Sequence, residues 1–121
     1  MSNTIYFTTI TEIGSSVNDM LEEGMLIIFK DNVPEELAEY CVLHSENELY
    51  DNIRIGDVLK INNYSYKVTS IGDAVNENLK SLGHITIRFD GAEKSELPGT
   101  LSVENKEIKG LQVGNKLSIE R

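Results

Sequence analysis

His44 and His84 are the only two imidazoles in this chain. His44 lies where a short apolar run breaks into small and acidic residues: Cys41–Glu48 reads CVLHSENE. His84 instead opens an apolar run, HITIRF. A hydrolytic Ser-His-Asp set would need a nucleophile with local context, and no Gly-x-Ser-x-Gly is present. A metal site could draw on His44, Glu46 and Glu48, but a strand puts all three on one face only if it continues, and HSENE reads as a loop. No glycine-rich loop leads into a helix in a nucleotide-binding pattern, so ATP use is unsupported. What remains is a lone imidazole, and what a lone imidazole does well is accept a phosphoryl group and pass it on. The plain alternative is a polar residue where a strand stops, and the residue types alone leave both open. Cys41 lies three residues before His44, hence on the opposite face of an extended segment, and reads as a small buried apolar group rather than a second carrier.

The elements that must position these residues are mostly strands. The dominant period is two over Thr4–Ile13, Met25–Lys30, Asp57–Asn62, Tyr64–Ser70, His84–Phe89 and Lys116–Glu120, all rich in Ile, Val, Tyr, Phe and Thr. Asn62-Asn63 predicts a tight hairpin turn, because Asn tolerates positive φ. Short helices are expected over Val17–Glu23, capped by Ser15 or Ser16 and ended by Gly24, and over Ala74–Leu82, capped by Asp73 and ended by Gly83. A further turn is expected at Pro34–Glu39. In the strand opened by His84, Ile85, Ile87 and Phe89 face one way, while His84, Thr86 and Arg88 face the other.

The chain also repeats itself. At a spacing of 58 residues, TEIGSSVNDML (Thr11–Leu21) falls on TSIGDAVNENL (Thr69–Leu79) with six identities in eleven positions, and Tyr6 falls on Tyr64. The same spacing lays IRIGDVLKI (Ile53–Ile61) on LQVGNKLSI (Leu111–Ile119). Between these blocks the spacing drifts, so that Gly24 meets Gly83 and Phe29 meets Phe89. This is a duplicated half-domain within a single domain spanning 1–121, its halves at about 6–61 and 64–119. The apolar–x–apolar–Gly–Asp–x–apolar stretch resembles the GD box of interleaved β-barrels. Together with the repeat it predicts an all-β (mainly β) fold: a closed barrel of about six to eight strands with pseudo-twofold symmetry and two or three short helices, closure leaving few exposed strand edges. Matching Glu46-Asn47 to Glu104-Asn105 sets His44 opposite Ser102, so the imidazole belongs to one half only.

Composition bounds the function. With 20 acidic against 11 basic residues the net charge is −9, which repels phosphate backbones and argues against nucleic-acid binding. The acidity serves solubility or a docking face for a basic partner. A single cysteine excludes an internal disulfide and a thiolate zinc site. No apolar run approaches the ~20 residues of a membrane span, and no leader pattern opens the chain, so a soluble, cytoplasmic protein without membrane insertion is expected.

The segment LGHITIRFDG (Leu82–Gly91), followed by LPGT (Leu97–Thr100), resembles the glucitol/sorbitol-specific IIA component of the bacterial sugar phosphotransferase system. The opening TIYFTTITEIG and the segment YCVLHSENEL fit the same layout, so the likeness covers nearly the whole chain. The resemblance implies a phosphotransferase component. It would take phosphate from the phosphocarrier protein HPr onto His44 and pass it to a cysteine of the IIB unit of a membrane sorbitol/glucitol transporter (its IIB/IIC components). No metal or cofactor is implied. Ser45, His84 and Arg88 are candidates to contact the phosphoryl group. A sugar- or protein-binding barrel that keeps the fold without the chemistry is the other reading.

Overall fold

The structure, a computed structural model, describes residues 3–108 and 110–121. Among them the elements run β1 (Thr4–Ile13), α1 (Val17–Glu22), β2 (Met25–Lys30), α2 (Glu35–Ala38), β3 (Cys41–His44), β4 (Glu48–Leu49), β5 (Val58–Ile61), β6 (Tyr64–Ile71), α3 (Val75–Leu82), β7 (Ile85–Arg88), β8 (Thr100–Val103) and β9 (Lys116–Glu120). The sheet order is β3-β2-β7-β8-β6-β5-β9-β1, and β1 pairs back onto β3, closing an eight-stranded barrel. The β2–β3 and β7–β8 pairs are parallel and the others antiparallel. The two-residue β4 adds a short pairing to β1 at Tyr6 and Phe7.

Alternation fills the interior. Ile10, Leu26, Ile28, Val42, Leu59, Ile61, Val68, Ile87, Leu101, Val103, Leu117 and Ile119 are all buried in one cluster, and Val17, Val75 and Leu79 add the helices to it. Fully burying one such side chain is worth about 1.5–3 kcal/mol, so this cluster carries the fold. The hairpin at Asn62-Asn63 forms as expected, with Asn62 at φ 56. The helix caps differ from expectation. Neither Ser16 nor the region of Asp73 supplies a side-chain cap; Ser16 Oγ donates instead to Glu39, and the first turns close through Val17 N–H to Gly14 O and Val75 N–H to Gly72 O.

The two halves are built alike. The bulge in β1 between Ile10 and Glu12 recurs in β6 between Val68 and Ser70. Gly14 and Gly72 are repeat partners for a steric reason: a Cβ on Gly14 would lie 2.2 Å from Ala38 O, and one on Gly72 2.3 Å from Pro98 O. In each half, backbone carbonyls of the connection before the parallel strand press against the strand–helix turn, and only glycine fits beneath them. The Gly-Asp and Gly-Asn turns also match: Asp57 Oδ2 accepts from Arg54 N–H and Asn115 Oδ1 from Gln112 N–H. Ile27 pairs with Thr86, and Lys60 with Ser118, each residue with its own counterpart. The pseudo-twofold axis therefore passes between β2 and β7 and between β5 and β9.

Candidate functional site

His44 ends β3, paired with Ile10 of β1 on one side and Lys30 of β2 on the other. Val42 belongs to the core cluster, and alternation turns His44 to the same inward face. The imidazole is 1% exposed. A histidine at a strand end could stand in partial contact with water. The structure instead encloses it, because the chain turns back over the strand end through Ser45–Asn47 and α3 terminates against it.

Both ring nitrogens are occupied. Nε2 lies 2.7 Å from Gly83 O and Nδ1 lies 2.8 Å from Thr8 Oγ1. A carbonyl oxygen can only accept, so Nε2 carries the proton and the Nδ1 lone pair accepts from the Thr8 hydroxyl. Thr8 Oγ1 in turn accepts from Asn47 N–H at 3.1 Å. The Asn47 side chain ties the loop to two further elements: its Oδ1 accepts from Tyr6 OH at 2.8 Å, and its Nδ2 donates to Leu79 O of α3 at 2.9 Å. The Tyr6 ring meets the imidazole edge-on. Asn47 sits at φ 48, a left-handed conformation that asparagine tolerates better than most residues.

Burial lowers the His44 pKa, Lys30 lowers it further, and the Gly83 hydrogen bond, Asp31 and Glu46 oppose this without cancelling it. The ring is thus neutral at neutral pH, with its lone pair on Nδ1. Burial also raises the Tyr6 phenol, which stays protonated and able to donate. What this arrangement offers is one neutral, tautomerically fixed imidazole with hydroxyl and amide donors beside its nucleophilic nitrogen. Among the described residues no cluster of three metal-ligating side chains is present.

Of the other residues named from sequence, Ser45 adjoins His44, and His84 and Arg88 fall elsewhere. Ser45 is half-buried beside His44, and its hydroxyl donates to Glu46 Oε1. The exposed Glu46 carboxylate also accepts from Thr9, a bond that holds its pKa below the usual range. His84 stacks on Phe29 with centroids 4.4 Å apart, and its Nδ1 lies 3.1 Å from Ile28 O. Arg88 pairs across β2 and β8 with Met25 and Ser102, and lines an outer cavity of about 300 Å³ with Lys94, Ser95 and Thr100. Because Ile85 and Ile87 point into the barrel, His84 and Arg88 point out of it, and His44 points in. The structure does not bring these two side chains to the imidazole. It brings Thr8, Asn47, Tyr6 and Gly83, which the residue types did not single out. One signal existed: Thr8 lies on the same parity as the buried Tyr6 and Ile10, a hydroxyl at an inward position.

The second half lacks this set. Both halves carry the same bulge, but the second half has one residue more between Leu79 and Gly83 than the first has between Leu21 and Gly24, so the register that pairs Ile10 with His44 pairs Val68 with Val103. The counterpart of His44 is therefore Val103, not Ser102 as the ungapped spacing gave. The same shift is fixed by Ser45 N–H to Thr9 O, repeated as Glu104 N–H to Lys67 O. Thr8 and Tyr66 are likewise counterparts, opposite Leu117 and Leu59. Where one half has His44 against Thr8, the other has Val103 near Tyr66, whose ring packs edge-on against Phe89.

The whole-chain likeness is consistent with one conserved architecture. Residues 5–118 match the family model of the PTS system glucitol/sorbitol-specific IIA component. The chain is 40% identical over 116 residues to the PTS system glucitol/sorbitol-specific EIIA components of Shigella flexneri and of Escherichia coli (strain K12), covering 96% of this chain and 94% of theirs. The crystal structure of a PTS system IIA component from Enterococcus faecalis V583 superposes with a TM-score of 0.82 at 26% identity, over 92% of this chain and 96% of that one. With its closed barrel and its single enclosed imidazole, the chain belongs to the glucitol/sorbitol-specific IIA components of the PTS system.

Proposed function

We propose that this phosphotransferase component carries a phosphoryl group on His44, taking it from phospho-HPr and giving it to the IIB cysteine of a membrane sorbitol/glucitol transporter. The observation that carries the reading is the Nε2–H···O=C bond to Gly83, which leaves the lone pair on Nδ1 of a neutral ring. Nδ1 attacks phosphorus, an N–P bond forms, and the N–P bond of the donor phosphohistidine breaks. The proton on Nε2 stays in place throughout. The phosphorylated ring is cationic, and the Gly83 carbonyl supports that charge, with Asp31 and Glu46 near enough to favour it. In the second step the IIB thiolate attacks phosphorus, and the ring leaves as neutral imidazole.

Phosphoryl transfer has a loose transition state, so positioning and charge stabilisation are the main tasks of the protein. Donor and acceptor are both already activated, and the chemistry calls for no metal. Because His44 is enclosed, the Ser45–Asn47 turn must lift for the donor to reach it. Both partners in this scheme act in the cytoplasm, where we place the protein. The test is incubation with phosphoenolpyruvate, the first enzyme of the system and HPr, followed by mass spectrometry. An acid-labile phosphate on His44, lost in His44→Ala with the fold intact, is expected. A His44→Ala protein that still gains it would overturn the assignment, and a wild-type protein that gains none would favour a non-catalytic binding barrel.

A further inference from the structure

We infer that Thr8 is a positioning residue for the phosphoryl group, acting together with the backbone N–H of Asn47. This rests on the phosphocarrier reading of His44. Thr8 is fully buried, on the inward face of β1, and its hydroxyl donates to the one ring nitrogen that has a lone pair. The same oxygen accepts from Asn47 N–H. In the free protein this chain holds the ring plane and covers Nδ1. When Nδ1 forms its bond to phosphorus, the lone pair that Thr8 was bonded to is consumed, and the hydroxyl loses its acceptor. A phosphoryl oxygen then arrives beside it. The Thr8 O–H turns from nitrogen to that oxygen, and Asn47 N–H, released as the turn lifts, donates to the same group. No proton changes hands: two existing donors exchange a neutral acceptor for an anionic one, which makes stronger hydrogen bonds. The second half has Tyr66 at the position of Thr8 and Val103 at that of His44, and the Tyr66 hydroxyl donates to Glu107 O, so no hydroxyl–imidazole pair recurs there.

Donation in the transition state distinguishes this role from packing. Thr8→Val keeps the shape and removes the hydroxyl. We expect it to lower the maximal rate of phosphoryl uptake by about 100-fold, in the range for losing one charge-stabilising donor, with KM for phospho-HPr little changed. Thr8→Ser should restore the rate to within about tenfold of wild type. Nitrogen NMR of the His44 ring serves as the folding control. The Nε2–H tautomer, set by Gly83, should persist in both variants, and the phosphorylated wild type should carry phosphorus on Nδ1. Wild-type rates in Thr8→Val, no recovery in Thr8→Ser, or phosphorus on Nε2 would each overturn the inference while leaving His44 as the carrier. Absence of phosphate from wild-type His44 would instead overturn the carrier reading itself.

Discussion

The Gly83 carbonyl accepts a hydrogen bond from Nε2–H of His44 with the two heavy atoms 2.7 Å apart, and a Cβ placed on Gly83 would stand 2.9 Å from Cε1 of the same ring. Gly83 also ends α3 in the left-handed conformation, at φ 62, which aims its carbonyl back at the barrel end. One residue thus stops a helix, fixes a tautomer and leaves room for an imidazole. Gly83→Ala should lower stability by about 1–3 kcal/mol through the strained backbone alone. It should slow phosphoryl uptake more than that loss of folded protein explains. Denaturant unfolding beside transfer kinetics checks both.

The pH dependence follows from burial of the ring. The folded-state pKa of His44 lies below the ordinary value of ~6.5. Neutral imidazole is the nucleophile, so uptake should be flat from pH 8 down through ~6.5 and should fall only below it. The stability effect has the same sign: the folded state holds this site less protonated than the unfolded chain, so the contribution is complete above ~6.5 and is lost as pH falls through the lower folded-state value. A pH–rate profile with its acid limb centred above the ordinary histidine range would contradict the buried, neutral ring.

Gly14→Ala and Gly72→Ala should cost comparable stability, about 1–3 kcal/mol or more each, because each new Cβ collides with a backbone carbonyl that cannot yield locally. Thermal unfolding of the two variants measures this. A large loss in one and none in the other would break the equivalence of the halves at their most alike point.

Docking of the phosphoryl donor should depend on charge. The surface beside the site carries Asp31, Glu46 and Glu48, all exposed, with the exposed Leu82 next to Gly83. An acidic rim around an apolar spot steers a basic partner, an effect mainly on the encounter rate. Second-order transfer from phospho-HPr should therefore slow as salt is raised, and a rate that rises with salt would refute the steering.

The amino-acid sequence determined the barrel, its halves and the importance of His44's surroundings to different degrees. Period-two alternation decides which side of a strand is apolar, and the glycines at 14 and 72 mark turns that admit nothing larger, so the strands and the repeat are legible from residue types alone. The short strands β3 and β8, each buried on both faces, show no alternation, and neither helix cap followed from the Ser and Asp residues available. The make-up of the site is a tertiary matter. Thr8, His44, Asn47 and Gly83 come from β1, the end of β3, the turn after it and the end of α3, and no local spacing links them. One extra residue before Gly83 moves the twin of His44 from Ser102 to Val103, and one step along a strand exchanges its faces. The same parity sends His84 and Arg88 outside the barrel that His44 faces from within. Residue types could nominate an imidazole as a nucleophile; only barrel closure, by bringing a carbonyl to one ring nitrogen and a hydroxyl to the other, decided which nitrogen holds the lone pair.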